Sequence, residues 1–595
     1  MTTSKKVILS KNSETVAKTR YFNEGENWEP CTERVADSIA EVETKNKSSW
    51  AEKFAEMIYY MDFIPAGRIL RNASRSKGSL MNCYVVPIGD SIEEIGKFIA
   101  DSLTLWSEGG GVGCNFSPLR PKDTPILGKG GKSSGMVSFI KAADSVSKTI
   151  ESGGQRRAAA LACCDVSHPE IMNFINSKLV EGEISHFNIS VLVDEEFIQA
   201  VESDSVWTFK FKQKEYEKIK AREIWNLIVN NMISKAEPGL LNKTNLYKNN
   251  SYYYDPVVST NPCGEAILSN YESCDLGSLV LPNFITGNVN TNWKKLENTI
   301  KLAVRFLDNV IDANKYSLKE IDIKTHNSRR IGLGMMGLAE YLFAKELRYG
   351  SKEAILEIEK LMRFIRDTVY QTLIELSVEK GSFPKFEPVQ YGNASFIRKL
   401  PAQLRMDIKK YGVRCVSGMA MAPNGTISLL PEVTSGIEPL MFKAYRRNDR
   451  VGERIYIHPK YKQLLLSGEN IPDWFVESSD LTPKDHFEVQ AIVQKYTDGA
   501  VSKTINMPKG TTSEQLNNYL LEYIRDLKGV TIYVDESRGG QVYNKIGEDE
   551  LFDIVSQQTI GFSDSIDDGD IECNCQKSTD DEAEACEIAI SKEAI

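Results

Sequence analysis

The chain lacks any run of eighteen apolar residues, and residues 1–18 contain no apolar run of signal-peptide length. Neither membrane insertion nor export is expected, and the reading is a cytoplasmic protein. Histidine is scarce. His168, His186, His326, His458 and His486 are the five present, and their spacing to one another and to the cysteines does not suggest a zinc site, so no protein-ligated metal is expected. Excess positive charge is missing too: 72 Lys and Arg against 82 Asp and Glu give a formal net charge of −10. A nucleic-acid partner is therefore not expected, although loop amides with one or two arginines can still hold a small anion. Cysteines are few for the length, eleven in 595 residues; in a reducing compartment they are thiols, and a disulfide among them would be catalytic rather than structural. The run Gly109-Gly110-Gly111-Val112-Gly113 has neither dinucleotide-fingerprint nor Walker spacing. Its physical reading is close backbone approach.

What is present is a globular composition, 41% hydrophobic and 26% charged, on a chain long enough for a large core. Helical apolar spacing occupies residues 45–62, 92–105 and 136–150, with strand-length apolar runs at 83–88, 161–166 and 187–192. That alternation predicts an α/β architecture, and no repeat of 20 to 50 residues points to a solenoid. Composition changes at Gly561: the last 35 residues hold eleven carboxylates against Lys577 and Lys592, yet also Cys573, Cys575 and Cys586. The chain divides into a short segment 1–45, a body 46–560 and a solvated acidic tail 561–595, whose cysteines an inert tail would not need.

The most informative string is Ser259-Thr260-Asn261-Pro262-Cys263-Gly264-Glu265. Asn261 precedes a proline and is biased to extended geometry. In an extended stretch residues two apart point the same way, so Asn261, Cys263 and Glu265 would project together, an amide, a thiol and a base in one small volume. A lone loop cysteine is more often a small apolar residue; the triplet favours chemistry. Ala422-Pro423-Asn424-Gly425-Thr426-Ile427-Ser428 reads as a turn whose amides could surround an anion, with an ordinary β-turn as the plainer alternative.

With Asn270-Tyr271-Glu272-Ser273-Cys274-Asp275-Leu276-Gly277 following eleven residues after Cys263, the loop resembles the radical loop and second redox cysteine of ribonucleotide reductases, in particular the adenosylcobalamin-dependent kind. The likeness runs from about residue 60 to about 540 and includes Asn82-Cys83-Tyr84-Val85-Val86-Pro87, similar to the strand with the first redox cysteine. The resemblance implies an α/β barrel of ten strands, in two antiparallel five-stranded halves around a central finger loop. It implies Cys263 as thiyl, Glu265 as base, Asn261 as orienting amide, and Cys83 and Cys274 as the dithiol. By the same likeness Asn82, Gly110, Gly111 and the loop Asn424, Gly425, Thr426, Ile427 and Ser428, followed by Ser435-Gly436-Ile437-Glu438-Pro439, contact substrate. Asp90, Ser91 and Arg120 match positions for an allosteric deoxynucleoside triphosphate or ATP, and Gln155 and Arg156 lie in the loop that relays its identity.

Turnover consumes one dithiol, so the resemblance makes Cys573 and Cys575 a shuttle toward thioredoxin or glutaredoxin, with Cys586 a substitute. Adenosylcobalamin is the expected radical source. Thr531-Ile532-Tyr533-Val534-Asp535 offers one tyrosine where the small-subunit-dependent kind has two, and Val501-Ser502-Lys503-Thr504-Ile505-Asn506-Met507-Pro508 also looks like the cobalamin-dependent form. The alternatives are a small-subunit-dependent reductase with a metal-derived radical, or a non-catalytic nucleotide-binding homologue. A monomer or homodimer with specificity control and no ATP cone is expected.

Overall fold

The computed structural model describes residues 6–551, apart from 129, 153–155, 181, 249–250, 252, 288, 450–451, 536–542 and 548–549. Three helices come first: α1 (Lys11–Arg20), α2 (Trp28–Ala40) and α3 (Lys47–Tyr59). Ser10 caps α1 by accepting from Ser13 N, and Asn27 caps α2 by accepting from Glu29 N, satisfying amides that a helix start leaves open.

Five parallel strands follow: β1 (Cys83–Val85), β2 (Gly111–Asn115), β3 (Ala159–Asp165), β4 (Phe187–Val193) and β5 (Gly239–Asn242), adjacent in that order. The apolar runs read from sequence at 83–88, 161–166 and 187–192 fall on β1, β3 and β4. Helices α4 (Ile92–Ser107) and α5 (Met136–Ser147) lie where the helical spacing placed them. The second half comprises β6 (Ser273–Val280), β7 (Ile331–Met336), β8 (Thr504–Met507) and β9 (Gly529–Val534), parallel in the pairs β6–β7 and β8–β9. Parallel bridges Leu333↔Met419 and Met421↔Val501 carry residues 419–421 between β7 and the approach to β8. The halves meet antiparallel at β6 with β1 and at β5 with β9, which closes the sheet on itself. With residues 419–421 taking the tenth position, this is the ten-stranded, two-half α/β barrel that the resemblance implied.

Side chains on the strands divide by face, as period-two geometry requires. Leu161 and Cys163 join a small interior cluster with Leu192, Leu241 and Ile267, while Ala160, Ala162 and Cys164 belong to the main core against the helices. Cys83, Val85, Cys274 and Leu276 form a second interior cluster with Ala66, Ala266, Leu268, Ala420 and Ala422.

Candidate active site

Residues 259–268 form a short hairpin inside the barrel, Ser259–Thr260 pairing antiparallel with Ile267–Leu268. Its tip is not the extended stretch read from the sequence. Gly264 N donates to Asn261 O at 3.1 Å, a turn with Pro262 at its first central position, and Gly264 has φ +86°. Proline's fixed φ and glycine's freedom at positive φ favour this turn over alternation. Asn261 closes it twice, its N–H donating to Ala266 O at 3.1 Å and its Oδ1 accepting from Ala266 N at 3.0 Å.

The hairpin fits because β2 carries glycine at 111 and 113, the positions against it. A Cβ on Gly113 would stand 1.7 Å from the Thr260 carbonyl oxygen, and one on Gly111 would stand 3.0 Å from Pro262 Cδ. One on Gly110 would meet the Tyr84 ring at 2.4 Å. Asn188 Nδ2 on β4 donates to Pro262 O at 3.3 Å, and Ala500 N donates to Glu265 O at 2.8 Å. Gly113, Asn188 and the 498–500 segment were not singled out from sequence. Only Gly113 carried a local signal, as part of the glycine run.

Two regions far apart in sequence converge here, Cys83 and the stretch 263–274. Cys83 and Cys274 are register partners across the β1–β6 ladder. Such partners have Cα atoms about 4.5–5.5 Å apart with side chains on one face, within the roughly 4.4–6.8 Å that a disulfide spans. Cys83 Sγ lies 3.7 Å from Glu265 Oε1. Burial, and then the charges of Glu265, Cys274 and Cys263, push the Cys83 thiol well up; burial and Asp275 do the same for Cys274. Both therefore stay protonated and can give up hydrogen. Cys263 is half-buried, unlike Cys83 and Cys274.

Burial pushes the Glu265 carboxyl up to about 7, against bonds from Asn261 and Cys83 that pull it down. A carboxyl near 7 is matched to accepting a proton at neutral pH. Its Oε2 has no hydrogen-bond partner, and neither does Oδ1 of Asn82. Buried acceptors are seldom left open, and these two suit the hydroxyls of a ligand. Among the described residues no cluster of three or more His, Cys, Asp and Glu could hold a metal ion.

At the phosphate-loop candidate, Asn424 takes φ +62° and is clamped to the barrel, its Oδ1 accepting from Ser278 Oγ at 3.0 Å and its Nδ2 donating to Met335 O at 3.0 Å. Ser428 N donates back to Asn424 O at 3.0 Å, so the amides of Gly425, Thr426 and Ile427 precede that closing bond. Glu438 accepts from Thr504 N at 2.7 Å and pairs with buried Lys503, tying this region to β8.

Elsewhere Arg120 donates to Asp90 through Nε at 2.9 Å and through its backbone N at 2.9 Å, while Ser91 caps α4 by accepting from Glu94 N. Asp90 and Arg120 are thus together. Gln155, Cys573, Cys575 and Cys586 lie outside the described residues; Arg156 belongs to the two-residue strand Arg156–Arg157 that pairs with Glu151–Ser152.

Residues 81–533 match the family model for the ribonucleotide reductase barrel domain, and residues 8–78 match that for the ribonucleotide reductase all-alpha domain. The chain belongs to the ribonucleotide reductases. It is similar to a vitamin B12-dependent ribonucleoside-diphosphate reductase of Thermoplasma acidophilum, 34% identical over 560 residues, covering 87% of this chain and 70% of the relative. A protein of the same description from Mycobacterium tuberculosis is 32% identical over 573 residues, covering 90% and 80%. A ribonucleoside-diphosphate reductase subunit alpha of Chlamydia trachomatis is 26% identical over 608 residues, covering 87% and 58%. This ribonucleotide reductase is accordingly an oxidoreductase that takes a nucleotide substrate and draws on a redox partner. Among its described residues no helix is long and apolar enough to cross a membrane.

Proposed function

We propose that this reductase converts ribonucleoside diphosphates, the substrate class named for its B12-dependent relatives, through a thiyl radical on Cys263. The observation that carries the reading is the meeting of Cys83, Cys263, Cys274 and Glu265 at one place inside the barrel. Cys263 as thiyl takes the 3′-hydrogen atom of the bound ribonucleotide and becomes a thiol. Glu265 accepts the 3′-hydroxyl proton while Asn261 holds the turn that presents it. The 2′-hydroxyl leaves as water. Cys83 and Cys274 together supply two electrons and two protons, one proton to the water and one to C2′, and form a disulfide. The 3′-hydrogen then returns from Cys263, and the proton held by Glu265 returns to the 3′-oxygen, restoring both the thiyl and the carboxylate. Gly425, Thr426 and Ile427 would bind phosphate through their amides and Thr426 through its hydroxyl as well, with Asn424 and Ser428 shaping the loop and Asn82, Gly110 and Gly111 beside the sugar.

The cofactor in this reading is adenosylcobalamin. A corrin brings its own ring nitrogens and needs no protein-ligand cluster. The turn 262–264 suits a bulky neighbour, with Cys263 half-buried and open space where a Cβ on Gly264 would stand; this turn would face the cofactor. Bound adenosylcobalamin would supply the one-electron chemistry that turns the Cys263 thiol into a radical. Asp90, Ser91 and Arg120 would bind a deoxynucleoside triphosphate or ATP effector, read out by Gln155 and Arg156. Cys573 and Cys575 would pass electrons from thioredoxin or glutaredoxin to the Cys83–Cys274 pair.

The test is to incubate the purified chain with a ribonucleoside diphosphate, dithiothreitol and adenosylcobalamin, with no second subunit, and to assay deoxynucleotide. Product is expected, and Cys263→Ser abolishes it. Activity only with a metal-loaded partner protein overturns the cofactor reading, and turnover by Cys263→Ser overturns the radical assignment.

A further inference from the structure

The proposed phosphate loop is held from the opposite end of the sequence. Ser13, in the first turn of α1, is buried, and its hydroxyl lies 3.0 Å from Leu429 O and 2.9 Å from Leu430 O. These carbonyls end the 3-10 turn Ile427–Leu429, where a helical turn runs out of amides to pair with its last oxygens. Ser10 adds an outer link, its hydroxyl donating to Glu432 Oε1 at 2.6 Å. Val16 and Ala17 on the same helix are buried in the main core, so α1 cannot slide along the loop without losing that packing.

Three clamps therefore act on one short loop. Asn424 fixes its front to Ser278 and Met335 on the barrel strands. Ser428 Oγ meets Ser435 Oγ at 3.0 Å and fixes its middle. Ser13 fixes its back, and of the three it alone comes from outside the barrel. An anion held by backbone dipoles binds in proportion to how well they are aligned beforehand, because a loop already ordered loses less freedom on binding.

We infer that α1 positions the substrate-phosphate loop, with Ser13 as the positioning residue, so that affinity for the phosphate-bearing substrate depends on a hydroxyl in the first twenty residues. The inference rests on the reading of 424–428 as the phosphate site and adds the element that orders it. Ser13 touches no reacting atom. It acts through the carbonyls of Leu429 and Leu430, which hold the turn whose leading amides face the anion.

The experiment is calorimetric titration of the full-length protein with cytidine diphosphate, and separately with dTTP as a probe of the Asp90–Arg120 region, for the native chain, Ser13→Ala, Ser10→Ala and Thr426→Val. Ser13→Ala is expected to weaken cytidine diphosphate binding about fivefold, the scale of one lost internal hydrogen bond, and to leave dTTP binding unchanged. Ser10→Ala, at the outer link, gives the same selective loss at about twofold. Unchanged cytidine diphosphate binding in both serine variants, with a loss in Thr426→Val, overturns the inference and leaves the phosphate-loop reading standing. Unchanged binding in Thr426→Val overturns both. Equal losses for the two ligands, accompanied by a fall in melting temperature, reduce Ser13 to a structural residue and also overturn the inference.

Discussion

Two buried stretches sit side by side in the barrel and treat their polar groups in opposite ways. In the 498–502 seam, Asp498 Oδ1 accepts from Met419 N and Gly499 N at 2.9 and 2.8 Å, and Oδ2 from Gly418 N and Tyr370 OH at 2.8 and 2.7 Å. Lys528, buried with its ammonium pushed down to about 7 by desolvation, donates to the carbonyls of Asp498 and Gly499, both at 2.7 Å. In the hairpin turn one hydrogen bond away, Glu265 keeps Oε2 unpartnered and Cys263 stays half-buried. Saturated acceptors hold backbone in place, and an open acceptor is available to a substrate. The seam is scaffold, and the turn is where the proposed chemistry has an open acceptor to use.

Among changes that test this contrast, the largest expected effect comes from removing that open carboxylate. Glu265→Gln keeps the shape and removes the base, and should lower kcat about 100- to 1,000-fold with substrate affinity little changed. For the native protein kcat should rise with pH through about 7, following the Glu265 carboxyl, and lose that limb in the variant. Stability runs the other way. The folded carboxyl titrates near 7 and the unfolded one near 4.5, so between those values the folded state holds more protons and stability falls as pH rises. The native chain should lose about 3 kcal/mol across that window relative to Glu265→Gln. A pH-independent difference between the two would remove the contrast between turn and seam.

A smaller loss should follow from disturbing the fit of turn to barrel while leaving both sets of side chains intact. Gly113→Ala pushes the Thr260 carbonyl away and displaces the hairpin, and should cost about 100-fold in kcat, the scale of an ångström misplacement. Gly111→Ala presses less closely, at 3.0 Å from the Pro262 ring, and should cost less in kcat than Gly113→Ala. If both are silent, the hairpin is not held by β2 as described.

The smallest effect on catalysis belongs to the seam itself. Asp498→Asn turns part of a four-donor acceptor into a donor and should lower unfolding free energy by about 3 kcal/mol in denaturant melts. At permissive temperature kcat should stay within about tenfold of native. A large fall in kcat without loss of stability would move Asp498 from scaffold to chemistry.

Much of the candidate site was legible because its residues are written in short strings. Asn261, Cys263 and Glu265 share one loop, and Cys274 follows eleven residues on. Their geometry was misjudged. Proline and glycine on either side of Cys263 make a turn, where the local rule of alternation gave a strand. Helices at 45–62, 92–105 and 136–150 were readable from apolar spacing alone, because burial on one side imposes a period. Asp498, Lys528 and Ser13 were not readable: each is polar with no local pattern, and its meaning comes from a carbonyl or amide that only the folded chain brings near.

The sequence by itself determined which residue types the reaction has at hand and where the main elements run, since helix and strand periods and turn residues act over a few positions. The tertiary structure decided that Cys83 faces Cys274 across 191 positions, that β2 has room for the hairpin, and that a serine of the first helix reaches the loop at 427–430. Contacts of that separation are set by how the sheet closes and which surfaces it buries, a property of the packed chain as a whole.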